Sequence, residues 1–596
     1  MPSSAPDGGG PRHPVTLRRL GLLALLVIAF VVTAVALNRP GSPSQRMAAS
    51  MPEGKNSAAP AELAPVGAPA APQSKRPNII TILSDDMRTD DLRWMPNVRR
   101  LVEDRGLNFR NSFSPFPLCC PARASLMSGM YTHNHHVFSH VPPYGFGAFD
   151  DRRTLGTSLN EAGYNTLFLG KYVNGYGDQD SKVTGQPSFR YVPPGWTEWY
   201  GAVSRPAHSG YSSGGTYNYW HTIFNVNGHI DDSHKHQYQT DVLGKMARDL
   251  VVKYHRSPKP FYMYLAPVAP HFGLPNEKDD PTGVINPSTG KPEQIKTPAR
   301  PQWVRGRFDA QLPRASGMPS DGGPSQANVS ALPRPMNQLA ELSPQERVAV
   351  RTLTRQRAEA LFVLDRQVGN LVKTLKATGE YDNTVIMFTS DNGYFLGEHR
   401  MRQGKIKPQE PSLRVPFVIA GPGIPHGTRY DPITSPGLTA TVLDLAHARP
   451  PHPADGMSVV PSFRRDRGWR VPVVSEALET SSVFKAAASH PAPGFDDPRT
   501  SIGVRTARWK FVRYNDGDGE LYDLAKDPNE LTNRFGEPRY APIQAELQQL
   551  WVAYKDCHGA SCRAPMPAAL QASPARDKTL TDAESRGVEE RYGYWR

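Results

Sequence analysis

From Pro77 onward, short β-branched and aromatic runs alternate with stretches whose apolar residues recur at three- and four-residue steps. That alternation predicts a mainly parallel sheet covered by helices. The strand candidates are NIITILSDD (Asn78 to Asp86), NTLFLGK (Asn165 to Lys171), FYMYLAPVAPH (Phe261 to His271), NTVIMFTSDN (Asn383 to Asn392) and PFVIAGPG (Pro416 to Gly423). Four of them finish in polar or ionisable residues. Ligands of open α/β sheets bind beyond the carboxyl ends of the strands, so these four ends are expected to converge on one site.

The clearest helix opens at Ser343-Pro344-Gln345-Glu346, where Ser can cap, Pro suits the first position and Glu completes a capping box. Leu361, Leu364, Val368, Leu371 and Leu375 then mark one apolar face before Gly379, so this helix belongs to the core. Residues 275–340 are rich in Pro, Gly and Ser with little periodicity, and a loop over the mouth of the site is expected there. Past about residue 465, VRTARWKFVRY, the turn NDGDG and ELYDL predict an antiparallel hairpin within a smaller C-terminal α+β domain.

At the N-terminus, Arg18-Arg19 precede an uncharged apolar run from Leu20 to Leu37. Its length reaches the lower limit for crossing a bilayer, while Ala34-Val35-Ala36 offers a cleavage pattern, so a signal peptide and a membrane tether through 20–37 are both open. The expected order is an N-terminal signal or anchor (1–38), an Ala/Pro-rich linker (39–76), a catalytic domain (77–465), a C-terminal α+β subdomain (466–565) and a C-terminal tail (566–596). Export to the cell surface or beyond implies an oxidising compartment, where Cys557 and Cys562 of CHGASC would form a local disulfide.

The formal net charge of +13 favours an anionic partner: nucleic acid, acidic lipid, or a sulfated or phosphorylated substrate. No run of five Lys/Arg and no zinc-finger spacing occurs, so no nucleic-acid partner is expected. Asp85-Asp86 and Asp391-Asn392, at two strand ends, offer hard oxygen ligands suited to Ca²⁺ or Mg²⁺. Cys119 and Cys120, in FPLCCPARASLMSG, admit three readings: a buried apolar pair, partners for Cys557 and Cys562, or a reactive centre. Pro121 suits a helix start, which puts Cys119 where exposed backbone N–H groups favour an anion. HNHH (His133 to His136) lacks metal-ligand spacing and reads as structural or as pocket rim.

The same stretch resembles the type I, formylglycine-dependent sulfatases. CCPARASLMSG matches their Cys-x-Pro-x-Arg signature with Leu126 and Gly129 following, and only Cys119 has Pro at +2 and Arg at +4. CCPARASLMSGMYTHNHHV with GKYVNGYG is most similar to the N-acetylglucosamine-6-sulfatase branch. The resemblance implies an alkaline-phosphatase-like sandwich and oxidation of Cys119 to formylglycine by a maturation enzyme, with the hydrated aldehyde as nucleophile. It also implies Ca²⁺, in preference to Mg²⁺, bound by Asp85, Asp86, Asp391, Asn392 and the modified Cys119. Arg123, Lys171 and Lys405 would add positive charge, His271 or Lys405 would protonate the leaving alcohol, and the substrate would be a sulfated sugar, with glucosamine 6-sulfate favoured. Three departures stand out: Val173 where many members have His, Ala122 for Ser, and Gln409-Glu410 for Tyr-Glu. A phosphomonoester or phosphonate-ester hydrolase of the same fold, and an inactive binder of polyanionic glycans, are the alternatives.

Overall fold

The computed structural model describes residues 76–204, 213–281, 283–285, 292–479, 493–496 and 498–594. The strand Asn78–Ser84 runs through the middle of a ten-stranded mixed sheet, buried along its whole length. Thr384–Ser390 lies parallel on one side of it and Phe261–Ala266 parallel on the other, followed by parallel Asn165–Lys171 and Glu198–Ala202. Strands covered on both faces need apolar residues at successive positions, which is how NIITILS and TVIMFTS read. The fifth expected strand, Phe417–Ala420, is present but antiparallel to Thr384–Ser390. Three-residue strands such as Leu107–Phe109, Phe224–Val226 and Gly427–Arg429 extend the edges and are too short to leave a periodic signal.

Side chains of the central strand alternate between two apolar layers. Ile80 and Ile82 meet Leu361, Leu364, Val368, Leu371 and Leu375 of the helix Pro344–Ala377 on one face. Ser343 caps that helix with the reciprocal Glu346 bond expected of its sequence. Ile79 and Leu83 pack on the other face, beneath Ala124 and Met127 of the helix Cys119–Ser128 and Leu438 and Val442 of Ser435–Ala446. The result is a sheet sandwiched by helices. In the parallel register Ser84 lies opposite Ser390, and Gly170 opposite Ala266, so their carboxyl ends finish side by side.

A separate antiparallel sheet follows, in the order Val473–Ala477, Ser501–Arg505, Trp509–Tyr514, Gly519–Asp523, with the helix Ala541–Tyr554 packed on it. A disulfide joins Cys557 to Cys562. Beyond residue 565 the chain forms the helix Pro574–Tyr592, capped by Ser573. Its buried face mixes Leu580, Val588 and Tyr592 with polar groups: Glu584 accepts hydrogen bonds from Arg414 and Arg505, and the following Tyr594 hydroxyl donates to Glu398.

The described part of the insertion 275–340 contributes to a buried layer. Ile295, Ala315 and Met318 pack under Leu342, Val350, Leu353 and Tyr394, forming an irregular but buried layer. It meets the strand-end region at Thr297, whose carbonyl accepts from the Gly273 N–H, and at Lys296, whose backbone N–H donates to Gln403 and whose ammonium sits 4.9 Å from the Phe272 ring centroid. Among the described residues no helix is long and apolar enough to cross a membrane, and Leu20 to Leu37 lies outside them.

Candidate active site

At the carboxyl end of the central strand the chain turns sharply through Asp85 and Asp86. Asp86 has φ 66°, a left-handed conformation that Asp tolerates better than bulkier residues. Its N–H donates to Asp391 Oδ1 at 3.1 Å, and its Oδ1 accepts from Asn392 Nδ2 at 2.7 Å. Carboxylate oxygens of Asp85, Asp86 and Asp391 thereby come within 4.8 Å of one another, all buried.

Three cations face these three carboxylates. Lys171 Nζ, at the end of its strand, lies 2.5 Å from Asp85 Oδ2. Arg123 donates through Nε to Asp391 Oδ2 at 2.7 Å and through Nη1 to the Lys171 carbonyl at 2.9 Å, with Nη2 3.7 Å from Asp85. Lys405 pairs with Asp86 and sits 3.5 Å from Asn392 Oδ1. Burial pushes the Asp85 and Asp86 carboxyls up, but Lys171 beside Asp85 and Lys405 beside Asp86 outweigh it, and both stay below the ordinary carboxylate range. Even so, Asp85 Oδ1 and Asp86 Oδ2 are buried with no hydrogen-bond partner. Leaving a charged acceptor so is expensive unless a cation meets it.

The two adjacent cysteines part company. Cys119 opens the helix Cys119–Ser128, and its Sγ clusters with ligand atoms of Asp85 and His271 within 4.8 Å. Cys120 turns into the apolar layer with Ile79, Leu83 and Val173, where burial pushes its thiol well above the usual range. Consecutive helical side chains differ by about 100° in direction, so one faces the carboxylates and the other the core. His271 donates from Nδ1 to the Phe272 carbonyl at 2.7 Å and points Nε2 at Asp86 Oδ2, 3.7 Å away. Burial pulls its pKa down despite the neighbouring Asp85 and Asp86.

The remaining sequence features separate from this cluster. His133 bonds Glu476 and the Cys557 carbonyl, and His135 bonds Ser125, so HNHH is structural. Gln409 donates to Glu520, and Glu410 pairs with Arg414, Arg505 and Lys510, tying the loop that carries Lys405 to the C-terminal sheet. Tyr217 was not anticipated. Its ring stacks on His271 at 4.6 Å and lies 5.0 Å from Lys171 Nζ, and its hydroxyl accepts from Asn174 Nδ2 at 2.6 Å. It comes from SSGGTYNYW, a Gly-rich turn segment in which no motif or periodicity marks one tyrosine above another.

A doubly covered, mainly parallel sheet whose carboxyl end gathers a metal-suited carboxylate cluster, a ring of fixed cations and a helix N-terminus defines a hydrolase for anionic esters. The chain belongs to the sulfatase family: the family described as Sulfatase matches residues 77–448, and the one described as N-sulphoglucosamine sulphohydrolase, C-terminal, matches 397–556. It is an enzyme of the sulfuric ester hydrolase type. Similar proteins include an arylsulfatase of Chlamydomonas reinhardtii, 29% identical over 83% of this chain and 77% of the relative. Another is the N-acetylglucosamine-6-sulfatase of Homo sapiens, 26% identical over 83% of this chain and 87% of the relative. The fold is shared with a solved protein in complex with its substrate D-glucosamine-2-N,6-O-disulfate (TM-score 0.56, 22% identity, 80% of this chain and 97% of that one). It is also shared with the phosphonate monoester hydrolase of Agrobacterium radiobacter (TM-score 0.55, 22% identity, 84% and 99%).

Proposed function

We propose that this sulfatase is an exported enzyme that removes sulfate from a glucosamine 6-sulfate or a closely related sugar ester, using residue 119 as formylglycine and a Ca²⁺ ion. The observation that carries the reading is the pair of unpartnered buried oxygens, Asp85 Oδ1 and Asp86 Oδ2, facing the Cys119 helix N-terminus among fixed cations. These hard donors fit Ca²⁺: Asp85, Asp86, Asp391 and Asn392 would hold it, with the modified residue 119 as a further ligand. The three carboxylates are already balanced by Arg123, Lys171 and Lys405. A divalent ion would therefore make the site doubly positive, matched to an anionic ester, and supply Lewis-acid polarisation of a sulfate oxygen. Formylglycine, as its hydrate, would supply an oxygen nucleophile that the thiol cannot.

The chain's own groups take the other roles. Arg123 and Lys171 are locked by hydrogen bonds and present positive charge without reorganising, the condition for electrostatic stabilisation. Lys405 is half-buried and, although burial opposes its charge, Asp86 holds its ammonium pKa above the usual range. Either Lys405 or His271, both beside Asp86, would give a proton to the departing oxygen. The sugar assignment draws on the N-acetylglucosamine-6-sulfatase relatives and on the glucosamine disulfate bound by a fold neighbour. Export draws on the apolar run from Leu20 to Leu37.

The test is sulfate against phosphate release from matched aryl esters, then sulfate release from glucosamine 6-sulfate, with mass spectrometry of the peptide containing residue 119 from the native host. Sulfate preference, loss of sulfur from residue 119 and an inert Cys119→Ala variant are expected. Phosphate preference would favour the phosphoryl hydrolase, and unmodified Cys119 the glycan binder.

A further inference from the structure

Asn174 carries a second buried oxygen without a partner. Its Nδ2 donates to the Tyr217 hydroxyl at 2.6 Å, while its Oδ1 is buried and bonds nothing. Asn174 is anchored on the core side, where its backbone carbonyl lies 3.7 Å from Cys120 Sγ, the neighbour of residue 119. Tyr217 is fixed by its stack on His271 and by Lys171, which approaches both its ring and its hydroxyl. His271, on which the Tyr217 ring stacks at 4.6 Å, has a ring nitrogen within 4.8 Å of Cys119 Sγ, which places the pair beside residue 119. Burial, above all, holds the phenol protonated beyond the ordinary tyrosine range.

The chemistry of these two free valences is selective. A carboxamide oxygen accepts and cannot donate, so Asn174 Oδ1 has nothing to offer the oxygens of a sulfate ester, which also only accept. It needs a donor, and a hydroxyl is one. The Tyr217 oxygen already accepts from Asn174, which leaves its own proton to give away. One acceptor and one donor side by side match one hydroxyl group that both gives and takes a hydrogen bond. Val173, the neighbouring position in the chain, is buried in the apolar layer and contributes no polar group.

We propose that Asn174 and Tyr217 form the niche that holds one hydroxyl of hydrated residue 119, with Asn174 Oδ1 accepting its proton in a hydrogen bond and the Tyr217 phenol donating to its oxygen. The pair stabilises the hydrate over the free aldehyde and fixes which hydroxyl faces the sulfur. This rests on the formylglycine reading of residue 119. A neutral hydrogen bond of this kind is worth about 1 kcal/mol, or about fivefold in the hydration equilibrium.

The experiment compares the folded, calcium-loaded wild type with Tyr217→Phe, which keeps the ring stack, and Asn174→Ala. Each is labelled with a small aldehyde-reactive hydrazide, first native and then after unfolding in guanidinium. Equal total aldehyde after unfolding, with native labelling about fivefold faster in each variant, is the expected result. Full aldehyde on unfolding but wild-type native rates in both variants overturns the niche. A raised KM for substrate with unchanged labelling does so too, by assigning the pair to the sugar. Absence of aldehyde from unfolded wild type overturns the formylglycine reading itself, and is thereby distinguished from failure of the pair alone.

Discussion

Arg123→Met removes one guanidinium from the site while keeping an unbranched apolar stem of similar reach. Arg123 is 1% exposed, 2.7 Å from Asp391 and 3.7 Å from Asp85. At an effective dielectric of 20 those separations correspond to gross attractions of about 6 and about 4 kcal/mol. Desolvation of the guanidinium offsets much of this, and its pKa reflects the contest: burial lowers it, yet Asp391 and Asp85 raise it further. Removing one partner of such a buried cluster leaves an uncompensated carboxylate and costs about 3–5 kcal/mol. The three-to-three charge balance becomes three carboxylates against two cations. In chelator the variant should therefore melt below the wild type, and added calcium should raise its melting temperature by more than it raises that of the wild type. Activity should fall about 10²-fold or more even with calcium, because the fixed positive charge proposed to face the sulfuryl group is gone. Melting in chelator equal to wild type, or a smaller calcium-induced rise, would refute the charge accounting.

Two further outcomes follow from the ties between the sheets. Glu476 is buried between His133 and Arg499; burial raises its carboxyl, but those two partners hold it at about 2, against an ordinary 4.5. Its folded pKa is depressed, so its contribution of about 3 kcal/mol is present above pH 4.5 and fades as pH falls towards 2. His133 is shifted the other way, upward, because Glu476 outweighs its burial, and its contribution is lost as pH rises through that raised value. Glu476→Gln should flatten both limbs of a stability-against-pH curve measured by thermal unfolding; an unchanged acid limb would contradict the assignment. Glu584→Ala leaves Arg414 and Arg505 short of one buried carboxylate, and about 3 kcal/mol of destabilisation is expected. Because Arg414 ends the loop that begins near Lys405, kcat should drop with it, and full activity in a destabilised variant would show that the C-terminal helix does not steady that loop.

Local pattern carried far in this chain. Continuous apolar runs gave the buried strands because a strand covered on both faces has no solvent side to mark with polar residues. Ser343 to Glu346 announced its helix because a capping box is satisfied within four residues of chain. The register of Cys119 against Pro121 and Arg123 was equally local, and one helical step explains why Cys119 meets the carboxylates and Cys120 the core. What local pattern misplaced was anything stabilised by partners far along the chain. The helix Pro574–Tyr592 reads as a polar tail because polar residues share its buried face with a few apolar ones, among them Glu584, paired with arginines 170 and 79 residues away.

The sequence by itself therefore determined five strands of the large sheet, the core helix, the doubled cysteine's register and most residue types of the site, since each is written within a few neighbouring positions. Tertiary structure alone decided how they meet. It set three carboxylates against three cations, left Asp85 Oδ1, Asp86 Oδ2 and Asn174 Oδ1 without hydrogen-bond partners, and brought Tyr217 onto His271 from a turn segment with no motif. The physical reason is range: capping and periodicity act over one or two turns of chain, whereas charge balance and unsatisfied buried oxygens are properties of a volume that four separate strand ends share.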